Sequence, residues 1–148
     1  MKMQQAWMYS VMVLAGIGIP VMAAMNAGLG LRIGPAASVT ALLLVGALVS
    51  GVITLFTGTP SMRTLLEAPS WLYLGGLVVV FYILSITVLG PHIGIGTAVL
   101  CVLLGQILSA ALVDHFGWFG APKSPITVQK LIGLAFMTLG IWLARRTD

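Results

Sequence analysis

Residues 90–117 read GPHIGIGTAVLCVLLGQILSAALVDHFG, and the reading given to them decides the fold. Between positions 93 and 113 the stretch carries no charged side chain and a single amide, Gln106. As a helix rising about 1.5 Å per residue, it covers roughly 30 Å, the thickness of a bilayer's hydrocarbon core. A surface helix of a soluble protein needs a polar face, and this stretch has none. It therefore reads as a membrane-spanning helix, with Gln106 placed where water is scarce.

The same reading extends outward along the chain. Of 148 residues, 59% are hydrophobic and 7% charged, against about 25% charged in an ordinary soluble domain. So few ionised groups cannot cover the outside of a soluble fold of this length. The apolar residues gather in five blocks, 6–28, 35–57, 70–89, 93–113 and 126–143, which read as one membrane domain over residues 1–148. Each block is close to the roughly 20 residues a transmembrane helix needs. Backbone groups in lipid must be satisfied within the segment, so all five are expected to be helical. The expected architecture is an all-α integral membrane protein with five transmembrane helices. The first block contains PVMAAMNA, which imitates a signal-cleavage site, but its apolar run exceeds a usual signal core and reads as a retained span. The lone Cys101 has no intrachain disulfide partner and reads as a small hydrophobe.

Linkers are expected at 29–34, 58–69, 90–92 and 114–125. An odd number of spans puts the termini on opposite sides. Lys2, Arg63, Lys123 and Lys130 then fall on one side and Arg32, Arg145 and Arg146 on the other. This near balance gives the positive-inside rule almost nothing to act on. Either the chain inserts both ways and pairs antiparallel with its own copy, or one orientation dominates because some of these residues lie outside the effective flanks. Trp7, Trp71, Trp118 and Trp142 fall near span ends, where tryptophan collects at lipid headgroups. The basic residues are dispersed, with no stripe and no interleaved aromatics, so no nucleic-acid partner is expected. Membrane lipids are the simpler counterparts of the net +4 charge.

Small residues recur at helical spacing: Gly16, Pro20, Ala23 and Ala27 in the first span, and Gly94, Ala98, Gly105 and Ser109 in the fourth. Such stripes let helix backbones approach closely in lipid. The embedded polar groups beside them are Asn26 and Gln106. An amide facing lipid is costly, so each is expected to point into the bundle or a cavity, either as an interhelical hydrogen-bonding group or as a solute contact. Tyr82 and Ser85 add hydroxyls that line the same polar path or satisfy nearby carbonyls, with Thr87 closer to the span's end. Asp114 and His115 are adjacent where the fourth span exits; they form either a proton-responsive gate or a wet interfacial pair. His92 falls in the expected 90–92 turn on the opposite side. No carboxylate lies at the centre of any block, which disfavours proton antiport through a midplane carboxylate. There is no phosphate-binding glycine loop, carboxylate pair or HExxH spacing, so the sequence indicates no enzyme, cofactor or metal site.

These residues resemble the YdcZ-like (DUF606) family of five-helix proteins in the drug/metabolite transporter superfamily. The resemblance rests on AAMNAGLGLRIGPAASV, WLYLGGLVVVFYILSITVL, GQILS, LVDHFGWFG and PITVQKLIGLAFMTLGIWLARR, which together cover most of the chain. It implies half of an inverted ten-helix assembly, an antiparallel homodimer in a bacterial cytoplasmic (inner) membrane. By motif position it makes Asn26, Tyr82, Gln106 and Asp114 the residues expected to have family roles. One departure is Met22, where the family often carries a glutamine one turn before the asparagine.

The expected function is movement of a small metabolite or drug-like solute by alternating access between two inverted protomers. Asn26, Tyr82, Ser85 and Gln106 are the expected cavity residues, with Asp114 and His115 as gating candidates. The alternative is a non-transporting membrane partner or scaffold. A channel is a third reading, weakened because the sequence carries no charged or carbonyl-rich filter.

Overall fold

The computed structural model describes residues 2–144, with side chains over 6–143; the side chain of Lys2 and residues Arg145, Arg146 and Asp148 lie outside them. Six α-helices follow one another: α1 (Lys2–Ile33), α2 (Pro35–Thr57), α3 (Met62–Glu67), α4 (Gly75–Ile93), α5 (Ile95–Phe116) and α6 (Val128–Ala144). Short 3-10 turns cover Ser70–Leu74 and Trp118–Gly120. The fold is all-α. Four segments, Ala6–Ile33, Pro35–Thr57, Ser70–Ile93 and Ile95–Phe116, are long and apolar enough to cross a membrane, as in a multi-pass membrane protein. The fifth apolar helix, Val128–Leu143, is shorter.

Two expected linkers contract to one residue each. The helix α1 runs through residues 29–33 and α4 through 90–93, so His92 lies in the last turn of a helix. Only Gly34 and Gly94 interrupt the helices, with φ of 92° and 83°. A side chain at such a φ is strained, so the break falls on glycine. Both breaks close the same pattern, Gly-x-x-Ile-Gly, at 30–34 and 90–94. Arg32 and His92 remain helical because a basic group suits the negative end of the helix dipole. The Gly34 N–H donates to the Gly30 carbonyl, and the Ser38 N–H to the Gly34 carbonyl, carrying the bond ladder across the break.

The chain divides into two compact units, residues 1–95 and 96–148. In the first, α1 packs on α2 and α4, and α2 packs on α4. The packing is concentrated at one end. Ala23, Asn26, Ala27, Ser38, Val39, Ile83, Ile86 and Thr87 are buried, whereas positions 6–18 of α1 and 44–53 of α2 are exposed and almost wholly apolar. The small-residue stripe of α1 is thus used from Ala23 onward and extends to Gly30, while Gly16 faces open space. A Cβ at Gly30 would sit 2.9 Å from Thr87 Cγ2 and 3.2 Å from Ser38 Oγ, so glycine there permits the three helices to meet. Between α2 and α4, Ser61 caps α3 by accepting the Thr64 N–H, Arg63 pairs with Glu67 at 2.7 Å, and the Tyr73 hydroxyl donates to the Leu65 carbonyl.

In the second unit, α5 turns back into α6 through residues 117–127. This segment is tied to the end of α5: the Ser124 N–H donates to the Asp114 carbonyl at 2.8 Å, and the Ile126 N–H donates to His115 Nδ1 at 3.1 Å.

Candidate functional site

The best-defined polar site lies in the first unit, where α1 meets α4. Thr87 donates its hydroxyl proton to the Ile83 carbonyl one turn back, at 2.7 Å. That proton is its only one, so toward Asn26 its oxygen can act solely as an acceptor. The Asn26 Nδ2 donates to it at 2.6 Å. The amide is thereby oriented: nitrogen to Thr87 and Oδ1 away, buried with no hydrogen-bond partner. Asn26 is 2% exposed and Thr87 3%.

Tyr82, five residues before Thr87 on α4, also has a buried hydroxyl with no partner. Its unpaired donor and the Asn26 acceptor do not satisfy each other. An unsatisfied buried polar atom costs about 1–3 kcal/mol, so a pair of them in one apolar unit calls for a reason. Ser85, half-buried, lies on the same helix.

The sequence marks Asn26, and Thr87 as a hydroxyl near the end of its span, but neither their contact nor the role of Gly30 is read from it. A signal exists: the first and third long helices of an up-down-up arrangement run the same way, so residues near the ends of both fall at one depth. Asn26 and Thr87 meet that condition.

The other expected residues belong to the second unit. Gln106 is exposed in the single chain, and its side-chain amide makes no hydrogen bond among the described residues; only its backbone carbonyl does, accepting from Ser109. The expectation places this amide toward the bundle or a cavity, and in the single chain the residue is exposed. Depth is legible in a sequence, but the direction a side chain faces around an almost uniformly apolar helix is not.

Asp114 and His115 are half-buried at the end of α5. His115 accepts the Ile126 backbone N–H on its Nδ1 at 3.1 Å. It acts as a tie between α5 and the returning segment. Among the described residues no three His, Cys, Asp or Glu side chains converge as metal ligands would.

A search of curated proteins and of solved structures found no match to this chain. A family model described as "Putative inner membrane exporter, YdcZ" matches residues 7–143. That match takes in every long apolar helix, both Gly-x-x-Ile-Gly breaks and the Asn26–Thr87 contact, and the chain belongs to the YdcZ family.

Proposed function

We propose that this protein moves a small organic solute across the bacterial inner membrane by alternating access in an antiparallel homodimer. The observation that carries this reading is the pair of unpartnered polar atoms, Asn26 Oδ1 and Tyr82 Oη, inside an apolar three-helix unit. In lipid an unpaired amide or hydroxyl is costly, and a polar solute in reach of both atoms would offset that cost. Together they offer a neutral acceptor and a neutral donor, which suits a polar solute and needs no covalent step or prosthetic group.

The homodimer draws support from two further features. Gln106 is uncovered in the single chain, and lipid is a poor cover for an amide. The open end of the first unit exposes Val11, Leu14, Leu44 and Leu48 beside a packed opposite end. An inverted copy packed on this apolar surface would bury it and give the two-repeat architecture on which alternating access rests. Ser85 lines the path, and Asp114 with His115 controls the segment that joins α5 to α6.

The test is thermal stabilisation of the protein in lipid nanodiscs by a broad metabolite and drug-like panel, with Asn26→Ala and Gln106→Ala beside wild type. Solutes that stabilise wild type and fail on a folded, dimeric variant support the reading. If hits are indifferent to both substitutions, these amides are packing groups and the scaffold reading gains.

A further inference from the structure

Two copies of a span related by a twofold axis in the membrane plane obey a rule of depth. The operation inverts depth, so a residue n positions from the axis lies about 3n Å from its own copy along the helix, twice the helical rise. For a span centred in the bilayer, only a residue at the midpoint meets itself. The helix α5 runs from Ile95 to Phe116, and its midpoint falls between Gly105 and Gln106. The Gln106 amide therefore stands at the one depth that an inverted copy shares with it.

The chemistry of Gln106 and of its neighbours fits that operation. Gln106 is exposed in the single chain, and its amide has no hydrogen-bond partner among the described residues. An amide carries both a donor and an acceptor, so two copies facing each other close a reciprocal pair, N–H to carbonyl in both directions. On the same face, Leu103 and Val102 lie three and four residues before Gln106, and Ser109 and Ala110 lie three and four residues after it. None of the four is buried in the protomer. Bulk occupies the first half of the face and small side chains the second.

An inverted copy sets Leu103 against Ser109 and Val102 against Ala110, filling each small position with a large one. A parallel copy in register sets Leu103 against Leu103 and leaves a gap between two serines. The Ser109 hydroxyl donates to the Gln106 backbone carbonyl at 3.0 Å, so its proton is satisfied within its own helix and asks nothing of Leu103. Of these residues only Ala110 also borders the groove shared with α6.

We infer that a second, inverted copy of this chain packs on the Gln106 face of α5, with the twofold axis passing through the paired Gln106 amides. The inference rests on the antiparallel homodimer proposed above and adds where its axis runs. Side chains that hydrogen-bond across helices hold spans together in lipid, and Gln106 positions the two protomers in that way.

Cysteine cross-linking in the membrane, with copper–phenanthroline as oxidant, tests it. The chain has one cysteine, Cys101, and Cys101→Ala gives the background. Helices packed about 8–10 Å apart bring facing Cα atoms within reach of a disulfide, whereas residues four positions off the axis stand about 12 Å from their own copies and beyond it. Gln106→Cys is expected to form a covalent homodimer, and Val102→Cys and Ala110→Cys are each expected to form none alone. Differently tagged Val102→Cys and Ala110→Cys chains, co-expressed, are expected to cross-link to each other. That mixed pair retains Gln106 and covers a Gln106 variant that fails to fold or pair. By light scattering in detergent, wild type is expected to be dimeric and Gln106→Ala to dissociate about tenfold more readily.

Self-cross-linking at 102 and 110 as strong as at 106 would overturn the inference by indicating a parallel pair. A dimer by light scattering that gives neither expected cross-link would overturn it while leaving the homodimer standing, because the axis then runs elsewhere. Wild type that is monomeric by light scattering and forms no cross-link in the membrane would overturn the homodimer and this inference together.

Discussion

Thr87 has one proton to give, and its gift to the Ile83 carbonyl fixes everything around Asn26. Replacing it by valine keeps the shape and removes the acceptor, leaving the whole Asn26 amide unpaired. Interhelical hydrogen bonds in membranes are worth about 0.6–2 kcal/mol, and Thr87→Val is expected to destabilise the protein by that amount in detergent unfolding. Thr87→Ser, which restores the hydroxyl, should recover most of it; equal loss in both variants would show that the methyl group matters instead. Gly30→Ala drives a Cβ against Thr87 and Ser38 and is expected to cost about 1–3 kcal/mol by the same measurement, as overpacking does. The burial of Asn26 was legible in the sequence because an amide that faced lipid would be costly. Gly30 was not, because eighteen glycines share the chain and only the close approach of three helices singles one out.

At the scale of elements, the sequence marks spans well and their ends poorly. Composition lapses at Arg32 and His92, which suggests a linker, yet both residues suit the last turn of a helix and stay in it. Backbone sterics place the actual breaks at Gly34 and Gly94, one residue each. Gly34 combines φ 92° with ψ 146°, a region that residues with a Cβ pay to enter. Gly34→Ala is therefore expected to lose about 1–3 kcal/mol in the same unfolding measurement. Gly16→Ala is the control: it faces open space within a regular helix and should be neutral or slightly stabilising. Equal effects at both positions would remove the special role given to the break. The third span shows the same limit, since the apolar run from Ser70 begins with a 3-10 turn and becomes α-helical only at Gly75.

For the whole molecule, five apolar blocks were visible from composition alone, and four appear as helices of full spanning length. The helix α6, with 17 residues, reaches about 25 Å at the standard rise and falls short of the hydrocarbon thickness. What the sequence does not show is which way Gln106 faces, because an almost uniformly apolar helix offers no polar side to contrast with it.

Carrier transport is read most plainly from flux into proteoliposomes of each labelled solute that stabilises the protein, with and without unlabelled solute inside. A carrier gives uptake that saturates, accelerates when the same solute is loaded inside, and disappears in folded Asn26→Ala. Uptake no faster than in empty vesicles, or uptake that rises linearly and ignores both internal solute and Asn26, would contradict it.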